Sequence, residues 1–152
     1  MNVSLQTETH GQLSLHAQTA ADLMMPNPIS VRASATIPEA IQLLTDKGYS
    51  AAPVIDKAGR PIGVLSRADI LVHDREAVDY VAPADDEETT GADRVRDIMT
   101  PAVFCVSPDA PASRVVREMT ELRVHRLFVV DDRGTLVGVI SALDVLRHLA
   151  AP

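Results

Sequence analysis

The stretch Val124-His125-Arg126-Leu127-Phe128-Val129-Val130-Asp131-Asp132-Arg133-Gly134-Thr135-Leu136-Val137-Gly138-Val139-Ile140-Ser141-Ala142-Leu143-Asp144 decides the fold. Leu127–Val130 and Leu136–Ile140 are apolar runs rich in β-branched residues. The polar turn Asp131–Gly134 between them is short and ends on glycine, which fits a hairpin. Ser141 with Asp144 three residues on is a helix start, because both side chains suit free backbone amides and the positive end of the helix dipole. The unit therefore reads strand, turn, strand, helix start. Basic His125 and Arg126 stand at one end and a hydroxyl–carboxylate pair at the other.

Working outward, the chain contains this unit twice. Sliding residues 22–73 by 75 places (97 − 22 = 75) lays them on 97–148 without a gap. The identities include Asp22/Asp97, Met24/Met99, Pro26/Pro101, Val54/Val129, Asp56/Asp131, Gly59/Gly134, Gly63/Gly138, Ser66/Ser141 and Asp69/Asp144. Two copies of one structural unit follow.

Each copy starts with a short helical turn, Ala21–Met25 or Arg96–Met99, stopped by Pro26 or Pro101. Ile29–Val31 and Val103–Val106 are short strand candidates. Thr36-Ile37-Pro38-Glu39 is a capping-box start, and Ile37, Ala40, Ile41 and Leu44 then line one helical face. Ala112, Val115, Val116 and Met119 do the same in the second copy. Gly48 is a C-terminal stop. The first hairpin is Ala52–Ile55 and Ile62–Leu65 around Asp56–Arg60. Closing helices run from Ser66 and Ser141 to about His73 and His148. One small sheet cannot cover both of its faces. Two units stacked sheet to sheet can, which predicts one α/β (α+β) domain with pseudo-twofold symmetry. The expected divisions are a tail over 1–19, a first repeat over 20–73, an acidic connector over 74–93 and a second repeat over 94–149. The tail suits either a marginal hairpin, with Val3/Leu5 and Leu13/Leu15 flanking Gly11, or a disordered segment. The connector carries Asp85-Asp86-Glu87-Glu88 and reads as a solvated run.

The 152 residues are 46% hydrophobic and 23% charged, as in a soluble globular protein, with a net charge of −7. That charge argues against a general grip on nucleic acid or anionic membrane. The lone Cys105 allows no internal disulfide and reads as a small apolar strand residue. No secretory signal and no apolar run near the ~20 residues of a membrane helix is present. A cytoplasmic protein is the expectation.

No nucleophile–base set, P-loop or glycine-rich dinucleotide loop appears, so the chain is read as a non-enzyme with no required cofactor. The five histidines lack metal-ligand spacing. The doubled Gly63-Val64-Leu65-Ser66-Arg67-Ala68-Asp69 and Gly138-Val139-Ile140-Ser141-Ala142-Leu143-Asp144 support two readings. One is helix capping alone. In the other, the carboxylate at a strand end accepts hydrogen bonds from a ribose diol while the serine and the helix amides face a phosphate.

Asp-Leu-Met-Met-Pro at 22–26, Asp-Ile-Met-Thr-Pro at 97–101, Ala-Ala-Pro-Val-Ile-Asp at 51–56, His-Arg-Leu-Phe-Val-Val-Asp at 125–131 and both Gly-Val-x-Ser-x-x-Asp runs together resemble a tandem pair of cystathionine-beta-synthase (CBS) domains, a Bateman module. The resemblance covers about residues 20–149. It implies paired β-α-β-β-α repeats and an adenine-containing regulatory ligand, such as AMP, ADP, ATP or S-adenosylmethionine, between them. On that pattern Asp144 holds the ribose, Ser141 sits by the ribose or phosphate, and His125 and Arg126 contact phosphates. Ala35 and Ala40 line the adenine, with Ile37 and Val31 as apolar walls. Since adjacent strand residues point to opposite faces, geometry alone lets one of His125 and Arg126 reach a shared ligand. A second, weaker cleft would use Asp69, Ser66, Ala110 and Val115. There Ser50 and Ala51 replace the basic pair, and Arg67 is the candidate to compensate. The resemblance further implies a homodimer and an effector protein that reads the ligand-bound shape. The competing reading is a structural or dimerisation module without a ligand.

Overall fold

Each hairpin is held by its own aspartate. Asp56 Oδ1 accepts from the backbone amides of Ala58 and Arg60, and Asp131 Oδ1 from those of Arg133 and Thr135, all at 2.9 Å. Gly59 and Gly134 take the left-handed conformation these turns require, with φ of 79° and 81°. The computed structural model describes residues 12–79 and 93–151.

The first repeat places strands β3 (Val31–Arg32), β4 (Ala51–Ile55) and β5 (Pro61–Ser66) in one sheet, β3 parallel and β5 antiparallel to β4. Helix α2 (Ile37–Lys47) packs on it, with Thr36 Oγ1 accepting from the Glu39 amide and Gly48 closing its C-terminus at φ 67°. Helix α3 (Arg67–Asp79) follows β5. The second repeat repeats this plan with β6 (Cys105–Val106), β7 (Arg126–Val130), β8 (Leu136–Ser141), helix α5 (Ala112–Leu122) and helix α6 (Ala142–Arg147). Arg123 occupies the left-handed C-cap that Gly48 fills in the first copy, at φ 55°. The two turns meet, with the Leu136 amide donating to the Gly59 carbonyl at 2.9 Å.

The short helices at the start of the copies do not pack where a local reading puts them. Helix α1 (Ala20–Leu23) buries Ala20 and Leu23 in the core of the second repeat, among Val115, Leu127, Val129 and Ile140. Helix α4 (Val95–Ile98) buries Val95 in the core of the first, among Ala40, Leu44, Val54 and Leu65. The strand β2 (Met25–Pro26) joins the second sheet beside β8, and Thr100 bridges to Val64 of β5 in the same way. The repeats have thus exchanged their first helices. Burial explains why: each exchanged side chain fills the mouth of a core that α2 or α5 leaves open, at roughly 1.5–3 kcal/mol for a large apolar side chain such as Leu23.

Gly63 and Gly138 make the crossing feasible. A Cβ on Gly63 would lie 2.7 Å from the Thr100 carbonyl, and one on Gly138 would collide with the Met24 side chain. The hairpin considered for the tail lies partly outside the described residues, since Val3, Leu5 and Gly11 do. Strand β1 (Ser14–Leu15) pairs antiparallel with β9 (Leu149–Ala150) at the other end of the chain. The acidic run Asp85–Glu88 also lies outside the described residues.

Candidate functional site

Strand alternation divides each sheet into a core face and an opposite face. Ala52 and Val54 on β4 and Leu65 on β5 are buried in the first core. Leu127 and Val129 on β7 and Ile140 on β8 are buried in the second. The intervening residues Ala51, Pro53 and Val64 therefore face away from one core, and Arg126, Phe128 and Val139 from the other. These six meet as the two walls of a groove between the repeats, related pairwise by the 75-residue register. Met25, Pro28, Ile29 and Tyr49 extend it on one side, giving a cavity of about 180 Å³. Its lining is apolar except for the Tyr49 hydroxyl and one charge, the guanidinium of Arg126.

The groove's charged end is set by register. Arg126 pairs directly with Ser141 across β7 and β8, so their side chains share a sheet face. Ser141 caps α6: its hydroxyl accepts from the Asp144 amide at 3.1 Å. The Ser141 amide and hydroxyl both donate to Asp144 Oδ2 at 2.8 Å. Asp144 is buried, and its other oxygen, Oδ1, has only a 3.6 Å approach from Arg147, too long for a hydrogen bond. That oxygen retains acceptor capacity.

The equivalent Asp69 differs. Its Oδ2 accepts from the Ser66 amide at 2.9 Å, but its Oδ1 accepts from the Thr100 hydroxyl at 3.2 Å. Met25 stands at the matching place beside Asp144 and offers no donor. The two copies of the motif thus differ in their outer carboxylate oxygen.

Of the expected site residues Arg126 alone lines the groove; Ser141 and Asp144 adjoin it through the Arg126–Ser141 register, and the others are not gathered here. His125 is exposed at the strand entrance, where its carbonyl accepts from the Ala142 amide, and it does not line the groove. Val31, Ala35 and Ala40 line a separate cavity on the outer edge of the first repeat, and Ile37 is buried. They were expected as adenine walls, but α2 lies on the far side of its sheet from the groove. The apolar wall beside Arg126 is instead Met25, Pro28, Ile29, Tyr49, Ala51 and Pro53. Strand alternation combined with the repeat register carries the signal that finds most of them. Of the second set, Ala110 and Val115 are buried in the second core. Ser66 and Asp69 cap α3. Arg67 Nε donates to the Tyr49 carbonyl at 3.0 Å, and its side chain lines a cavity between α2 and α3. These five do not form one cleft.

The shifted acids lie elsewhere. Backbone amides of Gln18 and Thr19 hold the Asp22 carboxyl below its ordinary 3.8. The Ser107 hydroxyl lowers Asp109. Partial burial of its sulfur raises the Cys105 thiol above its ordinary value, which keeps it protonated at neutral pH, while the residue as a whole is exposed. No described helix is long and apolar enough to cross a membrane. Among the described residues no cluster of histidine, cysteine and carboxylate side chains could hold a metal ion.

Comparison with known proteins agrees with this architecture. A family model described as "CBS domain" matches residues 20–76 and 95–151. The chain is 26% identical over 151 residues to inosine-5'-monophosphate dehydrogenase of Methanocaldococcus jannaschii, covering 99% of this chain and 27% of that protein. It is 30% identical to the gamma-3 subunit of 5'-AMP-activated protein kinase of Bos taurus over 76% of this chain and 23% of the subunit. It thus spans about a quarter of the length of either. Among solved structures, CBSX2 in complex with AMP superposes with a TM-score of 0.68 at 30% identity, covering 86% of this chain and 95% of that one. The cytosolic domain of the Mg2+ channel MgtE in complex with ATP superposes at 0.66 and 31% identity, covering 86% of this chain and 48% of that one.

Proposed function

The chain belongs to the CBS-domain family, and from that premise we propose that its inter-repeat groove binds an adenine nucleotide as a regulatory signal. The reading rests on one observation. A single guanidinium, Arg126, stands in an otherwise apolar groove, register-paired with the Ser141–Asp144 cap, whose outer carboxylate oxygen accepts no hydrogen bond among the described residues and is only approached by Arg147 at 3.6 Å. The cavity of about 180 Å³ is smaller than the roughly 300 Å³ at which pockets for whole ligands begin. It suits a base enclosed between Ile29, Tyr49 and Val139, with the sugar and phosphate emerging toward the polar end. Asp144 Oδ1 then accepts from a ribose hydroxyl and Arg126 pairs with phosphate. That relatives of similar architecture were solved with AMP and with ATP supports the choice of base. S-adenosylmethionine carries the same base and sugar but lacks the phosphate that Arg126 would recognise.

The asymmetry between the copies supports one strong site. Thr100 engages Asp69, and Ala51 stands where Arg126 does. Twin apolar hollows, one between α2 and α3 with Ile41 and Leu71 and one between α5 and α6 with Val116 and Leu146, suit a second copy of the chain. The ligand-bound shape would then be read by an effector protein.

The test is calorimetric titration with AMP, ADP, ATP and S-adenosylmethionine, backed by thermal unfolding. A ligand at about a hundred times its dissociation constant adds roughly 2.7 kcal/mol of stability. Arg126→Ala should lower affinity and flatten any preference for longer phosphate chains. No binding by any of the four would favour a scaffold in which the serine–aspartate pairs act as helix caps alone, a role their hydrogen bonds already fill.

A further inference from the structure

The helix exchange creates a second feature, remote from the groove. Val95 is fully buried in the first core, and its amide donates to the Ala35 carbonyl at 2.9 Å. The Arg96 amide donates to the Ala33 carbonyl at 3.0 Å. These bonds lay the start of α4 along the segment 32–35. Arg94 and Arg96, on either side of Val95, are thereby placed around Arg32, which is about sixty residues away in sequence. Arg32 and Ser34 line two adjoining cavities. The larger, about 340 Å³, also has Arg94 on its rim and Val31, Ala40 and Leu43 in its wall. The smaller, about 180 Å³, has Arg96 and Lys57. Four cations thus share one trough in a chain of net charge −7.

The facing acids Glu39 and Asp56 line the same cavities and offset two of the four charges, but neither forms an ion pair with the cations among the described residues. Asp56 Oδ1 is committed to the hairpin amides, and Asp97 Oδ2 accepts from the Arg94 amide at 2.8 Å. Glu39 lines the larger cavity without an ion pair among the described residues. The Arg94 side chain makes one bond, from Nη1 to the Ser34 carbonyl at 3.2 Å, leaving its other donors unassigned. The cluster is also dispensable to the fold. In the second repeat the register puts Ser107, Asp132, Thr19 and Ala21 where Arg32, Lys57, Arg94 and Arg96 stand, and the same architecture forms. Gathering four cations against two carboxylates without a structural need leaves an excess of positive charge, which a multivalent anion would offset.

We propose that the trough formed by Arg32, Lys57, Arg94 and Arg96 is a second ligand site, distinct from the inter-repeat groove, that takes a polyphosphate chain. Guanidinium forks bind phosphate oxygens two at a time, and three of them in a row match a chain of phosphates better than a single one. The chemistry is shared by inorganic polyphosphate and by the phosphate chain of a nucleotide. The apolar wall of the larger cavity offers a nucleotide's base an extra contact that inorganic polyphosphate lacks.

The experiment uses the Arg126→Ala chain, so that the groove and the trough are separated, with inorganic tripolyphosphate as the probe in low salt. Tripolyphosphate should bind, with amide resonance shifts centred on residues 32–35, 57 and 94–96. Affinity should fall about tenfold or more when Arg32→Ala and Arg96→Ala are combined, and should weaken as salt screens the charges. ATP titrated into the same Arg126→Ala chain distinguishes the sources. Tighter binding than tripolyphosphate with shifts at residues 32–35 and 94–96 assigns a nucleotide, equal binding with the same shifts assigns the phosphate chain alone, and both uphold the site. No binding of tripolyphosphate, or shifts that spare residues 32–35 and 94–96, would overturn the proposal. Because the resonance shifts are read on a chain with all four cations intact, a folding defect in the double variant cannot mask that result.

Discussion

Gly63→Ala should loosen the crossing of the two repeats. The new Cβ would lie 2.7 Å from the Thr100 carbonyl oxygen and 2.8 Å from Met99 Sδ. Met99 can rotate away, but the carbonyl is backbone. It accepts from the Val64 amide at 2.9 Å, and the Thr100 amide donates back to the Val64 carbonyl at 2.9 Å. Moving it sacrifices that pair, worth about 1 kcal/mol per bond, or roughly 2 kcal/mol together. Keeping the pair instead forces an overpacked contact costing ~1–3 kcal/mol. Either route gives about 2 kcal/mol, which for a chain of this size lowers the melting temperature by about 4–8 °C. Gly138→Ala is the internal control. Its obstruction is the Met24 side chain, with Cγ at 2.9 Å and Cβ at 3.0 Å, and much of a thioether side chain can swing clear. Its loss should be smaller. Circular-dichroism melts and urea titrations of both variants settle the comparison. A Gly63→Ala melt within ~1 °C of the parent, or a larger loss in Gly138→Ala, would refute the argument that the Thr100 backbone is pinned there.

Other outcomes follow from the two copies of the serine–aspartate cap. Asp144→Ala should weaken AMP binding by about ten- to a hundredfold, the worth of a hydrogen bond to a charged group, while Asp69→Ala should barely change it, as read by calorimetry. Asp69→Ala should instead lower thermal stability, because it also releases the Thr100 hydroxyl that fixes the exchanged segment. Arg123→Gly should stabilise the protein by about 1 kcal/mol in urea titration, since Arg123 holds a left-handed φ of 55° where the first repeat uses Gly48. Asp22 has a folded-state pKa below its ordinary value because backbone amides bond its charged form. It therefore contributes stability that is present above pH 3.8 and is lost as pH falls through the lower folded value. Asp22→Asn should flatten that part of the acid-unfolding curve without shifting the neutral-pH shape of the profile.

The repeats, the hairpins and the caps were legible because each is written locally. Alternation gave the strands, Asp56 and Asp131 with a following glycine gave the turns, and Thr36 and Ser141 gave the helix starts. The exchange was not legible. Asp-Leu-Met at 22–24 and Asp-Ile-Met at 97–99 are near-equivalent, so either helix fits either core by composition, and a sequence register says nothing about which copy it enters. The pairing of Ser14–Leu15 with Leu149–Ala150 was hidden for a related reason: two-residue strands carry too little periodicity to announce a partner at the other terminus.

Of the candidate site, Arg126, Ser141 and Asp144 stood out in the sequence because their chemistry is distinctive, and the structure places Arg126 in the groove with Ser141 as its register partner. Three of the residues expected as the apolar wall line a different cavity from Arg126, because a motif names residues without saying which face of a sheet they occupy. Val31, Ala35 and Ala40 are small and apolar, as a base-binding wall requires, yet α2 keeps them on the helix side. Ala51 and Pro53 are equally small and apolar, and the burial of their neighbours Ala52 and Val54 turns them toward the groove.

The traded helices make the chain resemble a dimer that has been fused. A polypeptide carrying a single repeat would expose the hollow that Leu23 or Val95 plugs, and the nearest plug of the right shape is the same helix on another molecule. Severing the chain between Asp79 and Asp93 should therefore yield two fragments that are each unsatisfied alone and recover their fold on mixing, each restoring what the other lacks.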